Sequence, residues 1–271
     1  MMKKALSIIV ILLCVSVVTK AQCPYTNTAF KAGESLQCNF YFNWKFVWVK
    51  AGGARLTVTN TTYHGNPALK MRLVSSTNKA ADAFFKMRDT LETVFTPDLV
   101  PLYYRKGSLE GDRYFVDEVF YSYANGKTIV HQRRVRYNGE IVITDDTVPY
   151  CVYDMMSLLA RARSFNFYLL KKGTVMNFKV ANGCEIDNQK LIYRGVKVIK
   201  SDEDQKRYRC LVISLVTHKN GKERELITFY VSDDMNHLPI LLDLNLNFGS
   251  AKALLTTTVG NRYPMSSVVN K

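Results

Sequence analysis

Histidine is scarce in this 271-residue chain: His64, His131, His218 and His237 lie far apart, at no spacing that would place two on one metal ion. No C-x-x-C occurs, which removes zinc-ribbon and thioredoxin-like chemistry. No Gly-x-Ser-x-Gly turn is present to seat a hydrolase nucleophile. Internal repeats and low-complexity tracts are missing, and past the N-terminus no apolar run approaches the length of a membrane helix. An enzyme is therefore left without a visible acid, base and nucleophile, and no cofactor or metal is expected.

The N-terminus has the marks of an export signal. A short basic start with Lys3 and Lys4 precedes an apolar run over 5–18, and Thr19-Lys20-Ala21 offers a small-x-small cleavage site. Residues 1–21 are thus expected to leave, with 22–271 remaining as a single β-rich domain. Cys23 follows closely, but Lys20, Ala21 and Gln22 are not the apolar-small-small approach of a lipidated cysteine, so no lipid anchor is expected. Loss of Lys3, Lys4 and Lys20 leaves 34 basic against 23 acidic residues, a net charge of +11. That balance suits anionic envelope material such as phospholipid headgroups, lipopolysaccharide or acidic glycans, and it equally serves solubility alone. Nucleic acid is a poor match for an exported chain. Of the five cysteines that remain, Cys23 with Cys38 and Cys184 with Cys210 are plausible pairs; spacing does not fix the connectivity. The odd count leaves a free thiol or an intermolecular link.

The dominant period is two. Residues 54–58, 69–73 and 240–248 alternate apolar and polar, the last with Ile240, Leu242, Leu244, Leu246 and Phe248 on one face. Asn-Gly steps at 125–126, 138–139, 182–183 and 220–221 mark hairpins, because both positions tolerate positive φ. Residues 201–206 form another polar tip. About a dozen strands result. The exception is 154–163, where Met155, Leu158, Leu159 and Ala162 recur at helical spacing behind Asp154 as N-cap, with Arg161 and Arg163 at the far end. Residues 80–87 read as a second short helix or helical loop. A sheet of this size must curl. The fold expected is mainly β: a large curved antiparallel sheet closing into an open or partial barrel, with one or two short helices.

Several of these segments fall into a recognisable order. Phe30-Lys-Ala-Gly33-Glu34-Ser-Leu36 precedes an aromatic strand and Val49-Lys-Ala-Gly-Gly-Ala-Arg-Leu56. Further on come Phe85-Lys-Met-Arg-Asp89, Pro101-Leu-Tyr-Tyr104, and a helix with Asp154, Ser157 and Arg163 at D-x-x-S-x5-R. A late hairpin carries Ser232, Asp234 and Pro239. The set resembles the exported family known as domain of unknown function 3108, over nearly the whole chain after the signal. The resemblance implies a β-rich protein of Gram-negative envelopes, periplasmic, with no established enzymatic activity. The basic stretch His131-Gln-Arg-Arg-Val-Arg136 departs from that pattern.

The stretch 228–240 (TFYVSDDMNHLPI) crowds a serine, two acids and a histidine together. Asp and Asn favour turns through local backbone bonds, and a calcium loop would need a glycine and a terminal glutamate that are missing, so it reads as a turn. Trp44 and Trp48 in the aromatic run 40–48 serve either packing or a ligand platform. Arg134, Arg136, Arg161 and Arg163 either tie the fold together or meet an anionic headgroup. The function expected is a non-enzymatic periplasmic protein that binds or carries an amphiphilic or anionic envelope ligand. A filled barrel that docks an envelope protein is the alternative, and a hydrolase with an unrecognised site is the remaining one.

Overall fold

The computed structural model describes residues 23–44, 47–219, 222–246 and 249–269. The expected signal peptide, the Asn220–Gly221 step and the side chain of Trp44 lie outside the described residues. An antiparallel meander comes first: β1 (Ser35–Trp44), β2 (Val47–Tyr63), β3 (Asn66–Thr77), β4 (Met87–Phe95), β5 (Pro101–Glu110), β6 (Arg113–Ala124), β7 (Lys127–Val135) and β8 (Ile141–Val148). One-turn helix α1 (Lys79–Asp82) interrupts it between β3 and β4. β9 (Val152–Tyr153) and α2 (Met155–Arg163) link to a second run: β10 (Val175–Ala181), β11 (Ile186–Lys200), β12 (Arg207–Lys219), β13 (Lys222–Ser232), β14 (Pro239–Leu246) and β15 (Gly249–Val259). β15 returns to pair with β1, so both runs join into one sheet ordered from β8 through β1 and β15 to β9. β16 (Val268–Val269) pairs with β12.

The sheet is mainly antiparallel, as the alternation predicted, and it does not close into a barrel. The strands outnumber the dozen expected, partly because β9 and β16 are two residues long, too short for alternation to reveal. Turn chemistry follows the Asn-Gly rule between β6 and β7, where Asn125 and Gly126 have φ of 51° and 73°.

The sheet curls around α2. Met156 and Ala160 pack with Val58, Met71, Leu91, Tyr104, Val119 and Val130 of the first run. Leu158 packs with Val180, Leu191, Leu211 and Ile213 of the second. The helix fills one end of the interior and fixes which face of the sheet points inward. At the open seam a turn does what a strand pair would do in a closed barrel. Residues 182–184, between β10 and β11, dock on the inward face of β6 to β8: the Gly183 N–H donates to Gln132 Oε1 at 3.0 Å and Thr144 Oγ1 donates to the Cys184 carbonyl at 3.0 Å. Gly183 has φ of 103°, and a Cβ there would lie 2.5 Å from Asp117 Cβ, so only glycine fits.

One disulfide, Cys23–Cys151, joins the N-terminal segment to the β8–β9 connection across a sequence separation of 128. The local pairs Cys23–Cys38 and Cys184–Cys210 do not form; Cys38, Cys184 and Cys210 are free. Cys38 lies within β1, and the leading segment runs instead past the β4–β5 turn, where Tyr25 N–H donates to the Asp98 carbonyl at 2.8 Å, to the β8–β9 connection.

Candidate functional site

Three of the sequence motifs meet at the filled end. Glu34, before β1, and Arg163, the last residue of α2, are 1% and 2% exposed. Arg163 donates through Nη1 to Glu34 Oε2 at 2.6 Å and through Nη2 to Oε1 at 2.9 Å, and also to the Asn236 carbonyl at 2.9 Å. Planar, charge-assisted pairing of this kind needs arginine. The turn 232–238 closes over it. Ser232 donates to Asp234 Oδ1 at 2.9 Å, Asp234 also accepts from the Asn236, Ser266 and Ser267 amides, and His237 Nδ1 donates to the Arg163 carbonyl at 2.5 Å. Burial pulls the His237 imidazole below its ordinary pKa. Asp233 is held by Arg209 Nε at 2.7 Å. The crowded stretch is a turn, as read, and its polar atoms bond to the fold itself. β14 starts at Pro239, where a missing N–H is tolerated.

The Asp154 carboxylate caps α2, accepting from Met156 N–H and Ser157 N–H at 2.9 and 2.8 Å, while the Ser157 hydroxyl accepts from the Asp154 amide at 2.9 Å. Its other oxygen accepts from Thr93 on β4 at 3.1 Å. Burial raises the Asp154 carboxyl to about 6, against the opposing effect of these donors.

The remaining arginines divide. Arg134 holds the seam: Nε donates to Asp117 at 2.5 Å and Nη2 to the Asn182 carbonyl at 2.7 Å. Arg161 stacks over Tyr25 at 4.3 Å and donates to the Cys23 carbonyl at 3.3 Å, next to the disulfide. Arg136 lies beyond β7 in the next turn, paired with Glu140 at 3.0 Å in the exposed pair. So Arg134, Arg161 and Arg163 are engaged within the fold, and Arg136 stands on the surface. Trp48 lies 37% exposed on β2.

Sequence reasoning missed what the register assembles on the inward face beyond α2. Cross-strand pairing lines up Leu191, Leu215, Ile227, Leu244, Ala251, Phe42 and Val49, an apolar row crossing seven strands from β11 to β2. Leu191 is buried, the five from Leu215 to Phe42 are half-buried, and Val49 is exposed. A second row, Tyr193, Ile213, Phe229, Leu242, Ala253 and Phe40, runs beside it toward the plug. Across the interior, the same face of β3 to β5 is polar. Ser75, Asp89 and Ser108 sit opposite one another, Ser108 donates to Asp89, and burial raises the Asp89 carboxyl. Lys106, one step further in, lies 4.9 Å over the Phe115 ring. The open end of the curl is thus apolar on one flank and polar on the other. Among the described residues no group of three or more His, Cys, Asp or Glu side chains could hold a metal ion.

The family model for DUF3108, a protein of unknown function, matches residues 37–256. The chain belongs to this family. No curated protein matches it. Among solved structures, a β-barrel-like protein of the DUF1849 domain family from Brucella abortus is similar over 85% of this chain and 99% of its own, with 10% identity and a TM-score of 0.50. A protein with a YmcC-like fold from Bacteroides fragilis overlaps 88% of this chain and 100% of its own, with 7% identity and a TM-score of 0.33. The Brucella likeness is one of fold. No helix among the described residues is long and apolar enough to cross a membrane.

Proposed function

We propose that this DUF3108 protein is an exported, periplasmic, non-enzymatic component of the cell envelope that holds an amphiphile against the inward face of its sheet. The observation that carries the reading is the seven-strand apolar row, which is buried at Leu191, half-buried from Leu215 to Phe42 and exposed at Val49. A continuous half-exposed apolar strip costs free energy in water, and an acyl chain laid along it removes that surface from solvent. The polar flank with Ser108 and Lys106 stands where a headgroup would sit. The basic start and apolar run of residues 1–21 support export.

A second reading has its own observation. β8 is an end strand of the sheet, and Ile141 and Ile143 on it are 52% and 55% exposed, so a partner strand could add there. In that case the interior is inert and the protein is a docking module.

The two separate by titrating the purified protein with a dansylated undecanoic acid. The carrier reading expects saturable enhancement of the probe, and at least tenfold weaker binding when Leu244→Asp places a charge in the middle of the row. No enhancement, or full binding by Leu244→Asp, would leave the docking reading in its place.

A further inference from the structure

At the open end β1 and β2 outrun their neighbours. β15 reaches β1 only as far as the Phe42–Ala251 pair, and β3 reaches β2 only as far as the Gly52–Thr77 pair. Past these pairs the two strands pair with each other to Trp44–Val47, flanked near their base by Asn78 beside Lys50 and Ala51 and by Gly249 beside Asn43. On this finger Val47, Trp48 and Val49 are 62%, 37% and 50% exposed. Successive strand residues point to opposite sides, so apolar groups meet water on both faces of a ribbon with no core of its own. Beside it, the loop after α1 exposes Phe84 (80%) and Phe85 (45%). Asn78, the N-cap of α1, ties the start of that helix to β2, donating from its amide to the Ala51 carbonyl and from Nδ2 to the Lys50 carbonyl, each at 2.8 Å.

Lysines lie near these exposed apolar residues. Lys50, Lys79 and Lys86 are exposed, and Lys252 Nζ lies 4.3 Å over the Trp48 ring. None of the four forms an ion pair among the described residues. Acids are interspersed with them: Asp82 is paired with Arg88 at 2.5 Å, Asp243 stands opposite Lys252 in the β14–β15 register, and Glu110 stands opposite Met87, next to Lys86.

We propose that this end of the molecule docks on an anionic phospholipid bilayer, with the finger and the Phe84–Phe85 loop entering the headgroup layer and the lysines meeting phosphates. Exposed apolar side chains at Val47–Val49 and Phe84–Phe85 with lysines beside them match the two layers of such a surface. An acidic protein partner would answer the lysines but not a ribbon that is apolar on both sides. The docking goes beyond cargo binding and does not require it. It does give the apolar row a destination, since the row ends at Val49, on the finger itself.

Flotation of the exported, purified protein with vesicles of phosphatidylglycerol in phosphatidylcholine, against phosphatidylcholine alone, tests this. The protein is expected to float with the anionic vesicles, more strongly at low salt. Lys79→Glu/Lys86→Glu is expected to weaken binding by about fivefold or more per lysine, and Trp48→Ser/Phe84→Ser by about tenfold or more. Tyr168→Ser/Leu169→Ser removes comparably exposed apolar groups (72% and 79%) beside the filled end and is expected to float like the unaltered protein. All six positions are exposed, and an unchanged near-ultraviolet circular dichroism spectrum confirms folding. The proposal is overturned if anionic vesicles recover no protein, if Trp48→Ser/Phe84→Ser floats normally, or if the Tyr168/Leu169 control loses binding equally. Capture of an acidic envelope protein by a chain that ignores vesicles would likewise replace it. The fatty-acid titration contains no vesicles, so the two proposals fail separately.

Discussion

Arg163 and Glu34 form the most buried ion pair of the described residues, at 2% and 0% side-chain exposure. Removing the arginine strands a carboxylate in the core, so Arg163→Ala is expected to cost about 3–5 kcal/mol in urea unfolding. Arg163→Lys should recover only part of that, since an ammonium cannot match both oxygens. A loss below 1 kcal/mol for Arg163→Ala would contradict the pairing. Asp154 gives a pH signature. Its folded pKa of about 6 lies above its ordinary value of 3.8, so the folded state binds the extra proton. The favourable contribution is therefore complete below about pH 4 and lost as pH rises through 6. Relative to Asp154→Asn, the unaltered protein should lose up to about 3 kcal/mol of stability between pH 4 and 7. Parallel pH profiles would show that burial is not what sets this carboxyl. The roles of Asp154 as cap and of 232–238 as turn were legible because capping and turn chemistry are local. The junction of Glu34 with Arg163 was not, because a separation of 129 residues leaves no local trace.

At the scale of elements, the strands and α2 were readable from period and punctuation, whereas pairing between distant segments was not. The disulfide illustrates the difference: Cys23–Cys38 looked natural by spacing, but the leading segment runs to the β8–β9 connection and meets Cys151. A bond across so long a loop is expected to contribute about 4–5 kcal/mol. Reduction, or Cys23→Ser/Cys151→Ser, should lower the unfolding midpoint accordingly. The three other thiols predict their own reactivity. Burial pushes Cys38 and Cys210 up to about 12, and raises half-buried Cys184 as well. A thiol-disulfide reagent at pH 8 should leave Cys38 and Cys210 unmodified in the native protein and label Cys184 slowly. Rapid labelling of all three would mean that β1 and β12 are not packed as described.

For the whole molecule, an open curl plugged by α2 at one end leaves the other end with an apolar flank, a polar flank and a projecting finger. The alternation of 240–248 announced one apolar face in the sequence. Only the register shows that six further strands continue it, since side chains align across a sheet by pairing and not by order along the chain. Native mass spectrometry of the protein isolated from its own envelope, with lipid extraction of the same sample, tests the central claim most directly. The account predicts a near-stoichiometric amphiphile on the unaltered protein and its loss from Leu244→Asp. A bare polypeptide mass under gentle conditions, with no lipid recovered, would contradict it.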